Sequence, residues 1–109
     1  MTNHYPPLIR SLPTFDGPFE AYQLNADDSK VLFASYPAGT VIKPHTHDTD
    51  NVGIITQGEL ILTMDGKTIT ITPGNWYHVP AHKTHSAVFE VDTSEIEFWF
   101  EEKTTSSAV

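Results

Sequence analysis

The chain has 109 residues, of which 39% are hydrophobic and 11% aromatic, and this size suits one domain with a single core. Its 14 acidic residues against 6 Lys and Arg give a formal net charge of −8, which argues against binding to nucleic acid or to an anionic membrane. The lack of Cys excludes disulfides, thiolate metal sites and Cys nucleophiles. No apolar run approaches the roughly 20 residues of a membrane span and the N-terminus does not resemble a secretory signal, so we expect a soluble cytoplasmic protein.

The N-terminal segment, residues 1–25, contains several prolines and shows no sustained hydrophobic period. We therefore expect an extended arm that packs on the domain, with at most a short edge strand. Residues 26–102 carry the strand patterns and are expected to form the barrel. The small, polar stretch 103–109 is expected to be a flexible tail.

Alternation of apolar and polar residues dominates the central part of the chain, and no window of helical length shows an apolar i, i+3, i+4 pattern with caps. Asp65-Gly66 is the strongest short-range signal for a β-hairpin. The predicted strands are KVLFASY (30–36), VGIITQGELILTM (52–64, broken at Gly58), GKTITITPG (66–74), NWYHVP (75–80), HSAVFEV (85–91) and EIEFWFEE (95–102). Short strands with frequent turn signals indicate an all-β barrel or sandwich.

Two histidines one residue apart, His45 and His47, are the first candidates for a site. In an extended segment residues i and i+2 point to the same face, so both imidazoles can be aimed at one point. Neutral imidazole is a good ligand for Zn, Ni, Cu, Fe and Mn. On these two residues alone, an exposed His-rich loop and one half of a metal site are both open.

Glycines and a third histidine recur around this pair at regular spacings. The first block runs Gly39, five residues, His45-x-His47, three residues, Asn51, six residues, Gly58, and the second runs Gly74, five residues, Pro80, four residues, His85. Together these blocks resemble the paired motifs of the cupin superfamily. The first of those motifs has Gly, His-x-His, Glu and Gly at these spacings, and the second has Gly, Pro-x-Gly and His.

The resemblance implies a cupin jelly-roll barrel (double-stranded β-helix) with one divalent metal ion inside it, of which Zn, Ni, Fe and Mn are the candidates. Position by position, His45, His47 and His85 match the histidine ligands, and Asn51 stands where the family has Glu. Small cupins commonly form homodimers. The resemblance therefore implies a homodimer that binds a small-molecule ligand.

Asn51 changes the charge of the implied site. Three His and an amide oxygen bring no negative charge to the metal, which would then be a stronger Lewis acid than with Glu. In this respect the chain is similar to small cupins of pectin and alginate breakdown, which carry Gln there and open unsaturated uronates, and to thiol dioxygenases, which hold iron with three His. Asp50 is an alternative anionic ligand, but it lies one residue out of register and would face the other way in a strand. Two further possibilities stay open: a metal held by three protein ligands and water, and a site that has lost its metal.

Glu97 and His82 are the candidate acid–base residues. The last predicted strand alternates Glu95, Glu97, Trp99 and Glu101 with Ile96, Phe98 and Phe100. The pattern favours an acidic, solvent-facing edge that includes Glu97, but if the apolar row faces outward, Glu97 and Trp99 line the cavity. His82 occupies a position where the second motif has Gly. It is either a residue that tolerates a turn with positive φ, or a base or second ligand near the mouth of the site. Tyr36 and Tyr77 are expected in the core or at an interface.

These observations together predict a metal-binding cupin whose chemistry stays open. The leading hypothesis is a metal-dependent isomerase or lyase that acts on a small polar, carboxylated or sugar-derived compound by Lewis-acid and proton-transfer chemistry. The alternatives are an iron-dependent dioxygenase of the cupin type and a non-catalytic small-ligand sensor or binding module. The same fold serves many unrelated activities, so the choice depends on the site.

Overall fold

Strands make up most of the fold, for which a computed structural model describes residues 5–100. One short helix, α1, precedes nine strands. Their bounds are α1 Pro7–Arg10, β1 Glu20–Asn25, β2 Ser29–Tyr36, β3 Thr40–His45, β4 Asp50–Gln57, β5 Leu60–Met64, β6 Lys67–Ile71, β7 Trp76–Val79, β8 His85–Phe89 and β9 Thr93–Phe100. Within the described residues no helix has the length and apolarity needed to cross a membrane.

Two antiparallel sheets enclose the interior. The five-stranded sheet has the order β1-β2-β9-β4-β7 and the four-stranded sheet has the order β3-β8-β5-β6. Strands that are distant in sequence pair side by side, as when β9 runs between β2 and β4. The prediction of an all-β jelly-roll barrel is confirmed.

The hairpin between β5 and β6 forms where the sequence places it. Met64 pairs with Lys67, and the two residues between them, Asp65 and Gly66, have φ of 56° and 73°. Positive φ at both central positions is typical of the type I′ turn, whose twist matches that of the flanking strands. The predicted hairpin is confirmed.

The N-terminal segment wraps around one edge of the five-stranded sheet. Tyr5 is buried, and its hydroxyl donates to the carbonyl oxygens of Ala34 and Glu95, each at 2.9 Å. Helix α1 was not predicted: its sequence is too short for a periodic pattern, and proline at its first position presets the helical φ. Beyond it, Thr14 bridges to Tyr22 of β1, and β1 pairs along its whole length with β2. Residues 20–25, which the sequence placed in the arm, are thus an edge strand, whereas the predicted tail 103–109 lies outside the described residues.

The core lies between the two sheets, and it is built from alternate, inward-facing residues along the strands. Its most buried large apolar side chains are those of Leu32, Ile55, Leu60, Leu62, Val79 and Phe89. Full burial of one such side chain contributes about 1.5–3 kcal/mol. These residues do not fill the barrel, because they also form the walls of a cavity.

Candidate metal centre and catalytic cavity

A cavity of about 520 Å³ opens between the sheets and receives side chains from both. On β4 the inward residues are Asn51, Gly53 and Ile55, and their partners on β9 are Trp99, Glu97 and Glu95. The N-terminal segment closes one side with Phe15, Pro18 and Phe19, and the other sheet contributes the histidines. One partly open cavity therefore holds imidazoles, carboxyls and an apolar wall.

The three motif histidines meet at one end of this cavity. His45 ends β3 and pairs in register with His85, the first residue of β8, while His47 follows two residues after His45. One ring nitrogen from each of the three lies within 4.8 Å of the others. The ring centroids are 4.3–4.7 Å apart, so the rings converge instead of stacking. The barrel thus brings together residues that are 40 positions apart in the chain.

Backbone carbonyls orient two of these rings. The Nδ1 atoms of His45 and His85 lie 2.8 and 2.9 Å from the carbonyl oxygens of Lys43 and Lys83. A carbonyl oxygen only accepts hydrogen bonds, so each Nδ1 carries the proton and donates it. In the neutral ring Nε2 then keeps a lone pair that can bind a metal ion. Metal-bound histidines commonly donate the N–H of their other ring nitrogen to a carbonyl or carboxylate in this way.

His47 completes the convergence. Its Nε2 lies 2.9 Å from Nε2 of His45, and its Nδ1 is buried without a hydrogen-bond partner among the described residues. Burial, together with the neighbouring His85 and His45, lowers the pKa of His47 to about 4. Burial also lowers the pKa of His85. Neutral rings with converging nitrogens fit a divalent metal ion, which needs unprotonated imidazole.

Asn51 and Asp50 face opposite sides of β4. Asn51 is 5% exposed and lines the cavity. Its Nδ2 lies 3.5 Å from the carbonyl oxygen of Phe98, so the amide oxygen is the atom left to bind a cation. Asp50 is exposed, and its carboxylate accepts a hydrogen bond from the backbone N–H of Ala81 at 2.6 Å. Of the two alternatives, the strand register places Asn51 and not Asp50 in the cavity.

The favoured expectation that Glu95 and Glu97 form a solvent-facing edge is wrong. Glu95 is 2% exposed and Glu97 is 3% exposed, and both line the cavity. Phe98, from the apolar row, faces outward and lies 6.0 Å from the ring of the exposed Trp76. The carboxyls tolerate burial because polar side chains bond to them. Two of these side chains come from other strands of the same sheet, so the sequence pattern of β9 does not contain them.

Two tyrosines and a tryptophan supply these bonds. The hydroxyl of Tyr36 donates to Oε2 of Glu97 at 2.5 Å, and Nε1 of Trp99 donates to Oε1 of Glu97 at 3.0 Å. The hydroxyl of Tyr77 donates to Oε1 of Glu95. Sequence reasoning placed the tyrosines in the core and missed their role. The only available signal for Glu95 was its i, i+2 spacing from Glu97, which puts both on one face of β9.

Burial raises the pKa of both carboxyls. At Glu95 the rise is large, and the charge of Glu97 adds to it. At Glu97 the hydrogen bonds from Tyr36 and Trp99 oppose the rise. The two neighbouring carboxyls therefore have different environments.

His82 lies in the turn before β8 and has a φ of 68°. It is exposed and is not among the residues that line the cavity. Its backbone N–H donates to the carbonyl oxygen of His47 at 2.6 Å. The backbone of His82 thus holds the loop that carries His47, whereas its side chain lies outside the cavity lining.

Comparison with known proteins gives one family and several similar folds. A family model for the cupin domain matches residues 32–100. An RmlC-like cupin from Shewanella frigidimarina has a TM-score of 0.75 at 21% identity, over 86% of this chain and 87% of that one. KdgF from a Halomonas species has a TM-score of 0.72 at 23% identity, over 84% of this chain and 89% of that one. The DMSP lyase DddQ from Ruegeria pomeroyi has a TM-score of 0.69 at 21% identity, over 81% of this chain and 49% of that one.

Proposed function

This chain belongs to the cupin-domain family, and we propose that it is a metal-dependent enzyme acting on a small polar compound, carboxylated or sugar-derived, by proton-transfer chemistry. The observation that carries the proposal is the content of the cavity. Three converging histidines share one cavity with two buried carboxyls. Ionisable groups that are buried in a cavity with shifted pKa values are typical of catalytic sites.

His45, His47 and His85 would hold the metal, with the amide oxygen of Asn51 as the fourth ligand. A bound divalent ion would supply Lewis acidity, polarising a carbonyl or hydroxyl oxygen of the substrate. The four side chains are neutral, so none of them offsets the charge of the ion. This charge balance favours a substrate that is anionic or that becomes anionic as the reaction proceeds.

Other residues of the chain would bind the substrate and move its proton. Glu97 faces the cavity and is held at both carboxyl oxygens, so it is oriented to take a proton from a substrate atom. Lys30 is the one lysine or arginine among the residues that line the cavity, and it is the natural partner for a substrate carboxylate. Phe15 and Phe19, whose ring centroids are 4.8 Å apart, shield this space from water.

Metal analysis tests the site. We expect protein purified without added metal to contain a bound divalent ion, and His47→Ala to lose it. His78→Ala is the matched control, because His78 is an exposed histidine outside the cavity and should leave the metal content unchanged. Equal metal content in wild type and His47→Ala would overturn the site.

Proton exchange tests the chemistry. In D2O, a panel of keto acids and unsaturated uronates followed by NMR should show metal-dependent exchange of a carbon-bound proton. Glu97→Gln should abolish the exchange while retaining the metal. Tight binding of a compound without any exchange would favour the sensor instead, and consumption of O2 that depends on iron would favour the dioxygenase.

We also propose that the chain forms a homodimer through the outer face of the five-stranded sheet. The apolar row of β9 faces outward there, Trp76 is 57% exposed, and Phe98 is only partly buried beside it. Exposed apolar area of this kind on a sheet face is typical of protein–protein contacts. In light scattering, the wild type should have the mass of a dimer and Phe98→Lys the mass of a monomer. The same mass for both proteins would contradict this interface.

A further inference from the structure

Two carboxyl groups stand side by side on one wall of the cavity. Glu95 and Glu97 are separated by one residue on β9, so both side chains leave the same face of the sheet. Neither is more than 3% exposed. Two like charges so close together on buried side chains repel strongly, because the low dielectric of the interior screens them little. The pair is therefore much more stable with one proton than with none.

The hydrogen bonds distinguish the two members. Each oxygen of Glu97 accepts a bond from a different donor, Tyr36 at Oε2 and Trp99 at Oε1. The indole N–H can only donate, and two donors on two oxygens suit a carboxylate anion. Lys30, on the neighbouring strand, adds a positive charge that favours the anion at Glu97.

Glu95 has weaker support for a negative charge. It receives the hydroxyl of Tyr77, and Tyr5 approaches only its backbone carbonyl. Its partners on the neighbouring strands are Ile55 of β4 and Ala34 of β2, neither of which titrates. Burial raises the pKa of Glu95 well above its ordinary value, in agreement with these contacts.

We propose that Glu95 and Glu97 hold a single proton at neutral pH, that Glu95 carries it, and that the pair works as an acid and a base. Glu97 accepts one proton from the substrate and Glu95 gives one to another substrate atom, so the pair ends each turnover with the same number of protons. Transfer from Glu97 to Glu95 then restores the starting state. Two carboxyls whose environments differ in this way are a recurring source of acid and base in one site. The catalytic use of the proton rests on the proposed function, whereas its location on Glu95 does not.

Infrared spectroscopy of the full chain, after removal of metal with a chelator, locates the proton directly. At pH 7 the wild type should show the C=O stretch of a protonated carboxyl, with the shift in D2O that marks an exchangeable proton. Glu95→Gln should lose this band and Glu97→Gln should keep it. Absence of the band in wild type, or its persistence in Glu95→Gln, would overturn the proposal.

A second pair of variants keeps the test valid if Glu95→Gln does not fold. Tyr77→Phe removes the hydrogen bond to Glu95 and should shift the frequency of the band, whereas Tyr36→Phe, the matched change at Glu97, should leave it in place. The reverse pattern would place the proton on Glu97. Because these spectra need neither metal nor substrate, a band at Glu95 in a protein without activity would refute the proposed function alone.

The pH dependence of stability gives an independent readout. The folded pKa of Glu95 is raised, so its contribution to stability is complete below the ordinary glutamate pKa of about 4.3 and is lost as the pH rises toward the folded value. Glu95→Gln stays neutral, so its Tm relative to wild type should rise as the pH increases from acid to alkaline. A Tm difference that does not change with pH would contradict a proton on Glu95.

Discussion

Gly53→Ala is the substitution whose effect follows most directly from the geometry of the cavity wall. Gly53 lies on β4 between Tyr77 of β7 and Glu97 of β9. A Cβ at this position would lie 2.5 Å from Cζ of the Tyr77 ring, so the ring passes over the backbone of β4 where a side chain would otherwise stand. The ring is 8% exposed and its hydroxyl is bonded to Glu95, and it cannot move aside without breaking that bond.

The expected cost combines three effects. Overpacking of a filled interior costs about 1–3 kcal/mol. Loss of the Tyr77 hydrogen bond adds about 1 kcal/mol. Replacing Gly by Ala restricts the unfolded chain and returns about 0.4–1 kcal/mol. The net destabilisation is about 2 kcal/mol, which lowers the Tm of a chain of this length by roughly 9 °C.

Thermal and urea denaturation measure this cost, and a double-mutant cycle assigns it to Tyr77. In a Tyr77→Leu background the ring is gone, so Gly53→Ala should cost less than half of what it costs in wild type. Gly66→Ala serves as a contrast, because nothing lies within 4 Å of its Cβ and only its φ of +73° is unfavourable. That change should cost about 1 kcal/mol whatever residue stands at position 77. A Gly53→Ala protein as stable as wild type, or an equal cost in both backgrounds, would refute the close packing of Tyr77 on Gly53.

Three further changes test other parts of the structure. Tyr5→Phe removes a hydroxyl that bonds the carbonyls of Ala34 and Glu95, so urea denaturation should show a loss of about 1–2 kcal/mol, and no loss would mean that the N-terminal segment does not anchor the sheet. His82→Gly relieves a positive φ at an exposed position and should stabilise the fold by roughly 0.5–1 kcal/mol, whereas a drop in Tm would show that the His82 ring makes stabilising contacts. Asn51→Glu places an anion beside the proposed metal, so a chelator competition should show an affinity for the metal that is about tenfold higher or more, equal to about 1.4 kcal/mol. An unchanged affinity would mean that residue 51 is not a ligand.

Local signals in the sequence were enough to predict an all-β fold, whereas the choice of a jelly-roll barrel followed from the family resemblance. Alternation along each strand and the Asp65-Gly66 turn depend on neighbours only a few residues apart, so strands and a hairpin can be predicted without the tertiary structure. The spacing of His45 and His47 is local as well, since an extended backbone puts both rings on one face. The place of His85 beside them followed from a family resemblance, not from local geometry.

The tertiary structure decided which face of a strand points inward. Period two divides β9 into two faces but does not rank them, and the apolar face of Ile96 and Phe98 was the obvious choice for the interior. The opposite face is buried because Tyr36, Tyr77 and Trp99 supply the hydrogen bonds that two buried carboxyls need. Tyr36 and Tyr77 come from β2 and β7, and only the order of these distant strands within the five-stranded sheet brings them to β9. The arrangement of the carboxyls, on which the proposed chemistry depends, is therefore a property of long-range contacts that no single stretch of the sequence contains.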